Sequence, residues 1–275
     1  MRIRITTLSE NTANFGFIAE WGLSILVEVD NLRVLLDTGL GCSAAHNAQL
    51  LGIDLSVIDT LVLSHGHTDH TGGLKEVLAR RGDLNIIAHP AIWEAKYAVP
   101  ENNREHYIGI PFNRDQLEDL GARFRLTKEP VWIDDRVVTS GEIPLTTGYE
   151  KVGRKFHIKE NGRLRPDHLP DDLALGVKTD LGLVIILGCA HRGMINTIHH
   201  FQEIMGEERV YCVVGGTHLI DASDERLAQT AADLQETGIQ RLGVSHCTGF
   251  QASAYLAGAF PNIFFLNHAG NQFSL

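Results

Sequence analysis

Apolar positions along this chain change period several times, and the changes mark out its elements. "RIRITTLS" near the start alternates and predicts a strand. In "LSILVEVDNLRVLLDTG" two apolar runs flank Asp30-Asn31, which predicts a hairpin with an Asx-type turn. "TLVLSH" reads as a buried strand and "GGLKEVLARRG" as an amphipathic helix closed by Gly82. "LNIIAHP" reads as another strand and "AIWEAKYAV" as a helix. From Gly182 the alternation becomes regular: strand "GLVIILGCAH", helix "MINTIHHFQEIMG", strand "RVYCVVGGTH", helix "DERLAQTAADLQETG", strand "RLGVSHCTG". Strands alternating with helices predict an α/β architecture whose sheets are covered by helices.

Residues 94–172 break this rhythm. They are more charged and richer in Pro, Gly and Asn, and "VPENNREHYIGIPFNRDQ" and "VGRKFHIKENGRLRPDHLPDD" predict long surface loops. Such loops in a compact domain act as lids or substrate walls, or are merely mobile. The chain of 275 residues is read as one domain, 1–275, with 94–172 as a substrate-side insertion or lid.

Composition narrows the classes. Apolar residues make up 44% and charged ones 21%, as in soluble globular proteins. The longest apolar run, "LGLVIILGCA", is too short to cross a bilayer, and no apolar stretch follows the basic residues at the start, so neither a membrane span nor a signal peptide is expected. Cys42, Cys189, Cys212 and Cys247 stand singly, which argues against a disulfide framework or a zinc ribbon and suits a reducing, cytoplasmic setting. The net charge of −10 repels phosphate backbones, so nucleic acid is not the expected partner. Local basic patches, "ARRG" and "KVGRK", leave room for a small anionic substrate. The sequence leaves oligomeric state open, a homodimer included.

Candidate chemistry collects at strand ends. Six predicted strands finish in a polar tip: at Asp37, at the cluster "SHGHTDH", and at His89, His191, His218 and His246. In α/β proteins functional groups gather at the carboxyl ends of strands. His65 and His67 are two apart on an extended segment, so both rings point to the same side. Asp69 and His70 follow where the chain turns toward the helix and can address a second position nearby. Imidazole and carboxylate together are good ligands for zinc, manganese or iron. Gly66, Gly72 and Gly73 permit the tight backbone that this requires.

"HGHTDH" resembles the HxHxDH signature of the metallo-β-lactamase superfamily, and "LLDTG", "GCAHRG" and "SHCTG" fall in the order of that family's other motifs. More narrowly, "GHTDHTGGL", "GCAHRGMINTI", "GGTHL" and "HCTG" resemble a subfamily of dihydropterin–ribofuranosylaminobenzene phosphate synthases. The resemblance implies an α/β (α+β) fold, a four-layer αββα metallo-β-lactamase-like sandwich. It also implies two divalent metal ions, zinc first, with manganese or iron as alternatives. His65, His67 and His191 would bind one metal, and Asp69, His70 and His246 the other. Asp69 would also orient the attacking hydroxide and take its proton. His218 would serve as general acid or substrate phosphate ligand, Asp37 would brace the metal loop, and His89 is either a site residue or a loop histidine.

The sequence departs from the family at two points. Most relatives carry a bridging aspartate where this chain has Cys189, which is either a ligand or a small buried residue, and "TSGEIPLTTG" lacks the histidine of the usual "PGH" loop. His199 and His200 lie mid-helix and read as surface or packing residues. The function implied is a metal-dependent hydrolase using a metal-bound hydroxide on a small, anionic or phosphorylated substrate. The alternatives are a synthase-like transferase, a phosphodiesterase or nuclease, and a metal-binding module without catalysis.

Overall fold

The structure is a computed structural model, and it describes residues 1–100 and 104–275. Contacts within the chain gather into two compact units. The first comprises Met1–Thr127, Val152–Asp171 and His268–Leu275, and the second Lys128–Lys151 and Asp172–Asn267. The 94–172 stretch is therefore divided, with 128–151 and Asp172 in the second unit and the remainder in the first.

The first unit is built on a seven-stranded sheet in the order Gln272–Ser274, Ile3–Ser9, Ser24–Val29, Leu32–Leu36, Thr60–Val62, Leu84–Ala88, Ala122–Leu126. It is antiparallel up to Leu32–Leu36 and parallel beyond. The expected hairpin turns at Asp30, in the left-handed region at φ 51°, which Asp tolerates better than most residues. Helices Ser43–Leu50 and Leu74–Arg81 contribute Ala44, Ala45, Ala48, Leu74, Val77 and Leu78 to one core with Leu35, Leu61, Leu63 and Ile86. The second helix ends at Gly82, whose φ of 69° suits glycine and whose N–H reaches Leu78 O at 2.8 Å.

Two expectations for this unit fail. "AIWEAKYAV" is not a helix: a 3-10 turn, Pro90–Trp93, leads into the strand Lys96–Ala98. The backbone of that strand is claimed by Phe156–Glu160, with Lys96 opposite Ile158. The segment after Val152 is likewise not a loop. Phe156–Glu160 and Arg163–Pro166 form a hairpin that turns at Asn161-Gly162, both with positive φ. Asn-Gly is a strong two-residue hairpin signal that the charged flanks mask. His106–Tyr107 completes a four-stranded sheet, and Arg114–Asp119 forms a short helix. Residues 101–103 of the other expected loop lie outside the described residues.

The second unit carries a sheet in the order Phe264–Leu266, Arg241–Ser245, Val210–Gly216, Gly182–Leu187, Ala174–Thr179, Val137–Thr139, Val131–Trp132. The first four strands are parallel. They are joined through helices Met194–Met205 and Asp224–Glu236, as the alternating pattern predicts, and through Phe250–Ala259, which the pattern did not mark. Gly182–Leu187 is buried at every position, which explains its unbroken apolar run. Among the described residues no helix is long and apolar enough to cross a membrane.

Candidate metal centre

In the first unit, the chain leaving Thr60–Val62 passes through Leu63 and Ser64 into His65, Gly66 and His67. It then enters a one-turn helix, Thr68–Thr71, that carries Asp69 and His70. Beside it, the parallel strand Leu32–Leu36 ends at Asp37, a non-glycine residue at φ 60°. The Asp37 carboxylate is fully buried and accepts three hydrogen bonds. Ser64 N–H reaches Oδ1 at 2.7 Å, while Ser64 Oγ (2.6 Å) and His70 Nδ1 (2.7 Å) reach Oδ2. A carboxylate can only accept, so Nδ1 of His70 carries the ring proton in the neutral tautomer. Nε2 is then the deprotonated nitrogen that a metal ligand needs.

His65 Nδ1 lies 2.9 Å from Ser64 Oγ, and its Nε2 lies 2.9 Å from Nδ1 of His67. The His65 ring centre is 4.4 Å from that of His67 and 4.2 Å from that of His70, and all three side chains are buried. Two nitrogens on one tetrahedral zinc, each about 2.0–2.1 Å from it, lie roughly 3.3 Å apart, so the His65–His67 pair fits a shared ion. Asp69 stands at the edge, partly exposed, and its Oδ2 accepts from Trp21 Nε1 at 3.1 Å. His89 is buried and caps the turn that follows it, with Nδ1 accepting from Ala91 N–H at 3.0 Å.

The glycines of this segment matter for a reason other than the expected one. None of Gly66, Gly72 and Gly73 has a positive φ. What they permit is close backbone approach. A Cβ on Gly66 would sit 2.4 Å from Ile92 O, one on Gly72 1.9 Å from Leu40 O, and one on Gly73 2.1 Å from Thr38 O. Gly72→Ala is expected to cost about 3 kcal/mol, at the upper end for overpacking, because the obstacle is backbone. Thermal unfolding checks this; an unchanged midpoint would contradict the close approach.

In the second unit, three neighbouring parallel strands present their tips side by side. Gly182–Leu187 runs into Gly188-Cys189-Ala190-His191, Val210–Gly216 into Thr217-His218, and Arg241–Ser245 into His246. One non-glycine residue beyond each strand is left-handed: Ala190 (φ 51°), His218 (φ 47°) and His246 (φ 55°). Strained conformations of this kind persist where the surroundings over-determine them, and they concentrate at functional sites. The His191 and His218 ring centres are 4.1 Å apart. The tips are stitched together by Cys247, which accepts from His218 N–H (3.3 Å) and donates to Cys189 O (3.5 Å), and by Thr217 donating to Thr248 (2.9 Å). Cys189, His191 and His246 are buried. His200 Nε2 lies 2.8 Å from Ser140 O and His199 is exposed, which matches packing and surface roles.

Sequence reasoning missed a buried charge cluster behind the first histidines. Lys96 is fully buried, and its Nζ donates to Asp167 Oδ2 and Asp171 Oδ1, each at 2.8 Å. Burial opposes the Lys96 charge, but the two carboxylates outweigh it and its pKa is raised. A lysine inside a short mixed stretch gives no sign that it points inward.

Residues 22–193 match the model of the metallo-β-lactamase superfamily, more than half of the chain, and the match takes in Asp37, the HGHTDH segment and His191. The chain belongs to the metallo-β-lactamase superfamily. This metallo-β-lactamase chain is 35% identical over 98% of its length, and 95% of the relative's, to the 7,8-dihydropterin-6-methyl-4-(β-D-ribofuranosyl)-aminobenzene-5'-phosphate synthase of Methanocaldococcus jannaschii. An uncharacterized protein of the same organism is 32% identical, covering 97% of this chain and 98% of its own. Among solved structures it is similar to Tm1679, a metal-dependent hydrolase of the β-lactamase superfamily, with a TM-score of 0.86, 29% identity and 98% of each chain covered. The metallo-β-lactamase-type α/β fold expected from the motifs is the fold found. The superfamily uses metal ions, and the buried histidines of each unit supply donors of the right kind.

Proposed function

We propose that the protein is a metal-dependent hydrolase acting on a small, anionic or phosphorylated substrate. In this reading His65, His67 and His191 hold one divalent ion, and Asp69, His70 and His246 hold a second. Zinc is the first choice and manganese or iron the alternatives. The observation that carries the reading is the buried chain Asp37–Ser64–His65–His67 with His70 gripped by the same carboxylate. Burying three imidazoles with their nitrogens converging gains the fold nothing, but it pre-orients ligands.

Bound ions would supply Lewis acidity toward a substrate oxygen and make water acidic enough to attack near neutral pH. The chain's own groups do the rest. Asp37 holds the His70 tautomer, and Asp69, partly exposed, orients the attacking water and takes its proton. His218, beside His191, gives a proton to the leaving group or holds a substrate phosphate. Cys189 stands where most relatives have an aspartate; as a thiolate ligand it would favour zinc over manganese. The single cysteines suit a cytoplasmic protein, and nucleic acid remains a disfavoured substrate at a net charge of −10.

A second reading, a synthase-like transferase, is favoured by the 35% identity over nearly the whole chain to an enzyme of that name. One experiment separates the two. Protein stripped by a chelator and reloaded with zinc, manganese or iron is assayed on phosphate mono- and diesters, thioesters, lactones and RNA. In parallel, it is assayed for joining an activated dihydropterin to ribofuranosylaminobenzene phosphate. Hydrolysis lost on stripping and regained on reloading is the expected result. Coupling without hydrolysis would select the transferase, and metal-loaded protein inert in both arms would overturn both readings.

A further inference from the structure

Two consecutive carboxylates, Asp171 and Asp172, are fully buried where the chain passes from the first unit to the second. Within the first unit, Asp171 Oδ2 accepts the backbone N–H of Gly66 at 2.9 Å. Gly66 is the residue between His65 and His67. Asp171 Oδ1 is held in turn by Lys96, and Lys96 is tied to Asp167, whose other oxygen accepts Leu169 N–H at 2.8 Å. Within the second unit, Asp172 Oδ2 accepts the backbone N–H of Arg192 at 2.8 Å. Arg192 follows His191, and its Nε donates to Ile143 O at 2.5 Å.

We propose that Asp171-Asp172 is a paired positioning element, each carboxylate fixing the backbone of one histidine loop: Asp171 the His65–His67 loop and Asp172 the His191 loop. The inference rests on the metal-site reading above and extends it to residues that touch neither metal nor substrate. Neither aspartate faces water, so neither is there for solubility. Each accepts an N–H one residue from a proposed ligand, so a displacement of either loop moves a ring nitrogen directly. A charge-assisted hydrogen bond to a backbone N–H is about twice as strong as a neutral one, which suits a group whose task is to hold position. Lys96 donates to the other oxygen of Asp171, so that carboxyl group is gripped on both sides.

The test uses the full chain and two readouts. The first is amide hydrogen exchange of metal-free protein, followed in the peptides that contain Gly66 and Arg192. Asp171→Asn, whose single amide oxygen Lys96 and Gly66 must compete for, is expected to speed exchange at Gly66 by about 10-fold or more and leave Arg192 unchanged, and Asp172→Ala to do the reverse. The second is zinc affinity by chelator competition, expected to fall by about 10–100-fold in each variant, the usual effect of removing a ligand-orienting partner. Asp167→Asn is the control, since it disturbs Lys96 equally but leaves the Gly66 bond in place; its zinc affinity should match wild type. If Asp171→Asn fails to fold, Asp171→Glu keeps the charge, moves the carboxylate by one methylene, and should show the same local exchange. Exchange that rises uniformly along the chain, or an Asp167→Asn protein as weak for zinc as Asp171→Asn, would overturn the proposal. Wild-type protein that takes up no zinc would instead refute the metal-site reading, and the exchange pattern would still decide whether the aspartates hold the loops.

Discussion

Asp37→Ala is expected to lose about 3 kcal/mol of stability and to bind metal about 10–100-fold more weakly. The carboxylate is fully buried and is the acceptor for Ser64 N–H, Ser64 Oγ and His70 Nδ1. An orphaned buried donor costs about 1–3 kcal/mol. The total stays below the sum of three because Ser64 Oγ also lies 2.9 Å from His65 Nδ1 and can turn to it. Urea unfolding should show a lower midpoint with an unchanged slope. The metal effect has a separate cause: removing Asp37 removes the acceptor that holds the His70 proton on Nδ1, and the other tautomer cannot ligate through Nε2. Asp37→Asn, which keeps one acceptor, should recover part of both losses. An alanine variant that loses stability yet binds metal like wild type would reduce Asp37 to a scaffold residue.

Lys96→Met should be the most destabilising single change outside the histidine loops, by about 3–5 kcal/mol, because it leaves two buried carboxylates without their cation. The loss should also depend on pH. Burial already pushes the Asp171 pKa up, and Lys96 is the first influence opposing it. Removing Lys96 raises it further. A carboxyl whose folded pKa exceeds its unfolded value, about 4, favours the fold only while protonated. That contribution is complete below the unfolded pKa and is lost as pH rises through the folded one. The variant should therefore lie closest to wild type in acid and fall away from about pH 4 upward, as Tm measured against pH would show. A constant gap between the two proteins at all pH values would mean that lost packing, not charge, sets the cost.

How far the fold was legible depended on how local its causes are. The hairpin at Asp30-Asn31 and the helix stop at Gly82 depend on one or two residues, and both appear where the pattern puts them. The regular stretch from Gly182 to Ser245 is equally direct, since each strand and helix there is long enough to show its period. Lys96–Ala98 failed because it is too short to show a period, and its strand character comes from pairing with residues some sixty positions away. The Asn161-Gly162 hairpin was readable in principle, but the charged residues around it suggested a loop.

The sequence by itself determined the superfamily, the identity of the candidate metal donors and the alternation of buried strands with covering helices. Those are properties of short motifs and of periodicity, and they survive without knowledge of contacts. Only the tertiary structure decided how the donors are held. It set the bond of Asp37 to His70 across 33 positions, that of Asp171 to Gly66 across 105, and the inward turn of Lys96. It also set the left-handed backbone at Ala190, His218 and His246. Hydrogen bonds between groups so far apart in the chain leave no periodic trace, because their geometry is fixed by the packing of sheets and not by the residues on either side.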